Sequence, residues 1–124
     1  MKHYTRTLTL FLFISFAFAQ TQLGSDIDGE DTIDNSGHSV SMNSAGDRVA
    51  VGAPYVYINN VGSYAGHVRV YEYSNSSWTQ LGSDIDGEAN DDNSGWSVSM
   101  NSAGDRVAIG AYFNDGTANN AGHV

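Results

Sequence analysis

The chain repeats itself almost word for word. Thr21 to Ala53, TQLGSDIDGEDTIDNSGHSVSMNSAGDRVAVGA, returns at Thr79 to Ala111 as TQLGSDIDGEANDDNSGWSVSMNSAGDRVAIGA, an offset of 58 residues with 28 of 33 positions identical. Further on, AGHV at Ala65 returns at Ala121, an offset of 56, so the second copy is two residues shorter in one loop. A fixed period of this size marks an array of supersecondary units, each burying its apolar face only against a neighbour. The first copy runs on from AGHV into RVYEYSNSSW, whereas the second ends at Val124. The expectation is a piece of an array, closed by further repeats or by self-association through open strand edges.

The first 19 residues are expected to be a signal peptide. Lys2, His3 and Arg6 make a positive start, Leu8 to Phe18 is apolar, and Ala17-Phe18-Ala19 is an A-x-A cleavage site. The apolar run is shorter than the roughly 20 residues that a membrane-spanning helix needs, so no retained membrane span is expected. The expected location is secreted or cell-surface. Of five Lys and Arg residues, only Arg48, Arg69 and Arg106 follow the leader, against 14 Asp and Glu, a net charge of −11. Such a surface repels nucleic-acid phosphates and anionic lipids, and it suits cations or solubility. There is no cysteine to staple the domain. Only Leu23 and Leu81 represent leucine beyond the leader, which is little for a self-sufficient core.

After the leader, helix signals are nearly absent, and Val, Tyr, Ser, Gly, Asn and Asp supply the vocabulary of short strands and turns. Four strands are predicted per unit. The first is His38 to Met42, copied at Trp96 to Met100; the second is Arg48 to Ala53, copied at Arg106 to Ala111. Between them Asn43-Ser44-Ala45-Gly46-Asp47 reads as a hairpin connection. The third strand is His67 to Tyr73 and the fourth Trp78 to Leu81. The predicted fold is all-β, with four-stranded antiparallel propeller blades, about two of them, after the signal peptide. Residues 20–82 carry an outer strand, TQLG, that completes a closing blade, and then the first repeat. Residues 83–124 carry the second, shorter repeat.

SGHSVSM, RVAVGAP and GHVRVYEY together resemble the FG-GAP repeat of integrin α-subunit propellers and of exported bacterial repeat proteins. Gly37 and Gly95 match the family's first glycine, with Ser36 and Ser94 where its Phe stands. Gly52-Ala53-Pro54 matches the family's Gly-Ala-Pro, and Gly110-Ala111-Tyr112 lacks the proline. The family often carries a calcium loop between its first two strands. At that place this chain offers only Asn43 and Asp47 as oxygen ligands, so the resemblance does not carry the calcium site over.

A different acidic loop is the sharper candidate. Asp26, Asp28 and Glu30 flank Gly29, with Asp34 beyond, and the set returns as Asp84, Asp86, Glu88 and Asp92. Hard carboxylate oxygens on one side of a turn suit calcium, so Asp26, Asp28, Glu30, Asp84, Asp86 and Glu88 are candidate calcium ligands. The other reading is a turn in which Asp oxygens accept backbone N–H bonds. Asp34 and Asp92 read as structural. His67 and His123 stand at equivalent places, one per unit, and read as strand packing. Tyr55, Tyr57, Tyr64, Tyr112 and Phe113 lie in the loop after the second strand, as platforms for sugars or proteins or as packing. No nucleophile elbow or Ser/His/Asp set is present.

The expected function is therefore non-catalytic: an exported or cell-surface propeller scaffold that binds an extracellular protein or polysaccharide. A hydrolase or lyase whose active site lies in other repeats is one rival reading, and a purely structural spacer array is another.

Overall fold

The computed structural model describes residues 20–124, so the expected signal peptide lies outside the described residues. Within them the chain is all-β, without a helix, and no described helix is long and apolar enough to cross a membrane. Strands β1 (Ser39–Met42), β2 (Arg48–Ala53), β3 (His67–Ser74) and β4 (Ser77–Gln80) form one antiparallel meander, each pairing with the next. β5 (Ile85–Asp86) returns to the free half of β3, with His67 opposite Asp86 and Val68 opposite Ile85. β4 and β5 thus run along one edge of β3, interrupted at Leu81–Asp84. In the second copy, β6 (Ser97–Met100) and β7 (Val107–Gly110) form a separate hairpin in the same register as β1 and β2.

Local chemistry explains the turns. Asn43 Oδ1 accepts the backbone N–H groups of Asp47 and Arg48, and Asn43 Nδ2 donates to Asp47 Oδ1 at 2.7 Å. Asn101 repeats the arrangement with Asp105 and Arg106. The two residues with calcium-loop chemistry at the family's usual place are thus engaged in building a hairpin. Between β3 and β4, Asn75 and Ser76 both take positive φ, 49° and 63°, the pair of values that a type I′ turn requires. The right-handed twist of that turn sets Tyr73 opposite Trp78, with ring centroids 5.1 Å apart. Thr21–Gly24, expected as an outer strand, forms no strand. Trp78 Nε1 donates to the Leu23 carbonyl instead, at 3.0 Å.

Alternation along the strands divides the sheet into two faces. Ser39, Ser41, Ala50, Gly52, Val68 and Val70 share one face, by register. The second hairpin lies on it: Ala50, Val68 and Met100 form the core, with Val70, Val98, Val107 and Ile109 packed around them. Ser39 Oγ donates to the Gly95 carbonyl at 2.7 Å, and Ser41 Oγ accepts Met100 N–H at 2.9 Å. Val40, Met42, Val49 and Val51 occupy the opposite face, and they are the 58-residue equivalents of Val98, Met100, Val107 and Ile109. The second copy thus uses this face to cover the first. On the first copy, Val40 and Met42 are 63% and 52% exposed, against 9% for Met100.

The copies meet backbone to backbone. A Cβ placed on Gly52 would lie 2.2 Å from the Gly95 carbonyl oxygen, and one on Gly87 would lie 2.1 Å from that of Ala65. Gly29, the equivalent of Gly87, meets nothing closer than Ser36 Cβ at 3.1 Å. Gly87→Ala is therefore expected to destabilise the chain by about 2–4 kcal/mol, as overpacking against backbone that has no room to relax. Gly29→Ala is expected to cost less than about 1 kcal/mol. Chemical denaturation of the two variants checks this, and equal losses would contradict the asymmetry.

Candidate functional site

The acidic loops are not equivalent in space. In the second copy, Asp84 grips Arg69 in a fork: Arg69 Nε donates to Oδ1 at 2.8 Å and Nη2 to Oδ2 at 2.6 Å. Gln80 Nε2 donates to the same carboxylate at 2.7 Å. Glu30 of the first loop reaches the same guanidinium, accepting from Arg69 Nη2 at 2.6 Å. Arg69 sits on β3 and is 8% exposed, so one buried cation ties together two acidic loops 54 residues apart. Fork geometry and burial make this an ion pair of the strong kind. Arg69 holds the Asp84 carboxyl down at about 2, and the two acids push Arg69 further above its ordinary value.

The other loop acids have separate fates. Asp26 Oδ1 accepts from Gln22 Nε2 at 2.8 Å. Asp28 lines a shallow recess with Tyr71 and Trp78. Glu88 lies 3.9 Å from His123 Nδ1. Asp86 sits on β5 opposite His67. Among the described residues, only His67, Asp84 and Asp86 place three ligand atoms within 4.8 Å of one another. Asp26, Asp28 and Glu30 are not brought together in that way, and neither are all three of Asp84, Asp86 and Glu88. Asp34 and Asp92 act as turn acceptors: Asp34 Oδ2 takes Asp31 N–H, and Asp92 Oδ2 takes Glu88 and Ala89 N–H.

The aromatic loop residues converge as well. His38 and Trp96, equivalent positions in successive copies, pack at a 46° tilt with ring centroids 4.4 Å apart. Trp96 continues to Tyr112 at 4.8 Å, and Tyr112 to Phe113 at 4.0 Å. Tyr55 bridges Trp96 and Tyr64, at 6.1 and 5.6 Å. This row spans both copies, and Tyr112 and Phe113 remain about 40% exposed. Beside it lies a cavity of about 540 Å³ lined by Tyr55, Tyr57 and Tyr64 together with Glu30, Asp31 and Asn59. Ile33 borders the cavity with φ at 79°, a strained conformation for a β-branched residue, and its side chain is largely exposed. The second copy has Asp91 at that position, a residue that tolerates positive φ better.

Sequence reading placed the aromatic residues in one loop but missed that His38 and Trp96 carry the row from copy to copy. It also missed Arg69, whose signal was available: a cation inside an apolar strand of a very acidic chain needs a carboxylate partner.

The Asp84–Arg69 pair makes stability depend on acid. A carboxylate held below its unfolded value of 3.8 stabilises the fold fully above that pH, and the gain disappears as the pH falls to about 2. Its size is about 1–2 kcal/mol, allowing for solvent screening of a part-exposed carboxylate. Melting of the natural chain from pH 5 to pH 2 is expected to fall more steeply than that of Asp84→Asn, and parallel slopes would exclude the pair as the cause. Neither protein-family models, curated proteins nor solved structures match this chain, so what the site does follows from its own residues.

Proposed function

We propose that this chain belongs to an exported or cell-surface FG-GAP-like β-propeller whose repeats form a non-catalytic scaffold for an extracellular ligand. The four-strand meander, and a second hairpin seated on the first copy by an equivalent face, support blades stacked around an axis. The leader composition of residues 1–19 supports export.

The observation that carries the binding role is the exposed aromatic row from His38 through Trp96 to Phe113, beside a cleft of tyrosines, carboxylates and an amide. Aromatic rings offer rigid, amphipathic area at low entropic cost, and neighbouring polar groups fix the orientation of what lies on them. Sugar rings present an apolar face to stack and hydroxyl groups to bond. With a net charge of −9 over the whole chain, the favoured ligand is a neutral polysaccharide; anionic ones are repelled. The strained, exposed Ile33 at the cleft occurs in one copy only, as expected of a single binding place within a repetitive frame. Near-identity of the copies favours a second reading, a spacer array in which no loop is special.

Affinity electrophoresis through gels containing neutral polysaccharides distinguishes the two. Retardation by at least one of them is expected, with Tyr112→Ala and Trp96→Ala weakening it about tenfold, the value of one lost stacking contact. Migration unchanged in every gel would leave the spacer reading, or a protein ligand, in its place.

A further inference from the structure

We propose that His67, Asp84 and Asp86 bind a divalent transition-metal ion of the zinc class. This site is independent of the aromatic row and of the ligand proposed for it.

The fold brings the three residues together from different copies. His67 opens β3 of the first copy, directly across from Asp86 on β5, and Asp84 stands two residues before Asp86 in the loop of the second copy. One imidazole nitrogen and two carboxylate oxygens lie within 4.8 Å of one another. Tetrahedral coordination at about 2.0–2.1 Å sets donor atoms about 3.4 Å apart, within reach of small side-chain rotations.

The imidazole is what distinguishes this cluster from a patch of acids. His67 is only 6% exposed, and the hydrogen bonds around it run from Arg69 and Gln80 to Asp84 and Glu30. Asp84 Oδ2 lies 3.8 Å from His67 Nδ1. The ring and both carboxylates line the same cavity of about 270 Å³, which Tyr57, Asn59 and Glu30 also border, so an entering ion meets all three donors on one wall. Burial and the neighbouring Arg69 hold the ring below its ordinary value, which keeps it in the neutral form that a metal needs.

Asp84 is oriented as metal-ligating carboxylates commonly are, by outer partners: Arg69 and Gln80 fix its plane. The guanidinium also opposes a cation, so the affinity is moderate. Two carboxylates and one nitrogen are too few hard oxygens for calcium, which takes six to eight. Nitrogen and oxygen ligands with an open position toward the cavity suit zinc. The arrangement occurs once among the described residues, because Asp26 and Asp28 face no equivalent histidine there and His123 meets Glu88 instead.

The test is calorimetric titration of the natural chain with Zn²⁺, alongside the visible spectrum of added Co²⁺. Saturation at one equivalent is expected, with cobalt bands of nitrogen and oxygen ligation. His67→Ala is expected to lower the affinity by more than tenfold. Asp86→Asn, a near-isosteric change at an exposed position, is expected to do the same without changing the melting of the metal-free protein. No saturable Zn²⁺ binding in the natural chain would overturn the site. So would wild-type affinity in the Asp86→Asn variant, or a preference for Ca²⁺ over Zn²⁺.

Discussion

The structure depends on the closeness with which the backbones of its two copies approach each other. Gly52 and Gly66 on the first copy, and Gly87 and Gly95 on the second, leave no room for a Cβ at the contact. Backbone N–H groups of Gly87, Asn93 and Ser94 donate across it to the carbonyls of Gly66, Tyr64 and Ala65, at 2.7–2.9 Å. Serine hydroxyls at Ser39 and Ser41 add further bonds to backbone of the other copy. The apolar core between them is small, centred on Ala50, Val68 and Met100. With two leucines among its described residues, the chain does not hold its units together by oily bulk. It uses satisfied backbone groups, which become strong constraints once water is excluded.

From that contact follows the divergence of nearly identical sequences. The loop SDIDGE occurs twice, and only in the second copy does it lie along β3 of its predecessor, where Asp84 finds Arg69 and Asp86 finds His67. The first loop has no such strand among the described residues. It lends Glu30 to the same arginine from the other side and leaves Asp26 to a local glutamine. A repeat is thus a donor on one face and an acceptor on the other, and a residue's role is set by which neighbour it has.

This asymmetry explains what was legible in the sequence. Strand positions were, because alternating Ser and apolar residues and the Asn-x-x-x-Asp hairpin are local signals: β2 has the predicted bounds, and β1, β3 and β4 differ by a residue at their ends. The local part of Asp92's role was legible too, since the N–H groups of Glu88 and Ala89 are four and three residues away, whereas its bond from Asn114 Nδ2, 22 residues on, was not. The pairings that build the candidate sites were not. Arg69 reaches Asp84 across 15 residues and Glu30 across 39, and His38 reaches Trp96 across 58. Such contacts follow from how one copy turns against the next, which no periodicity within a single copy encodes. TQLG looked like a strand because its copy at Thr79–Gln80 completes β4, yet a strand is a relation to a partner, and at Thr21 none of the described residues supplies it.

The three arginines show the same economy in electrostatic terms. Arg48 binds Glu72 across the strand pair and extends Nη1 to the Gly104 carbonyl in the hairpin of the other copy, at 3.1 Å. Arg69 fastens two acidic loops. Two of the three arginines among the described residues therefore act at the seam between copies, while most of the 14 acids face outward. A lysine in either place would supply charge without the fork, losing the bidentate grip on Asp84 or the simultaneous bonds to Glu72 and Gly104. Exposed acids on the surface are screened by salt, while the bonds that join neighbouring repeats at the arginine-pinned seam stay short, partly buried and poorly screened.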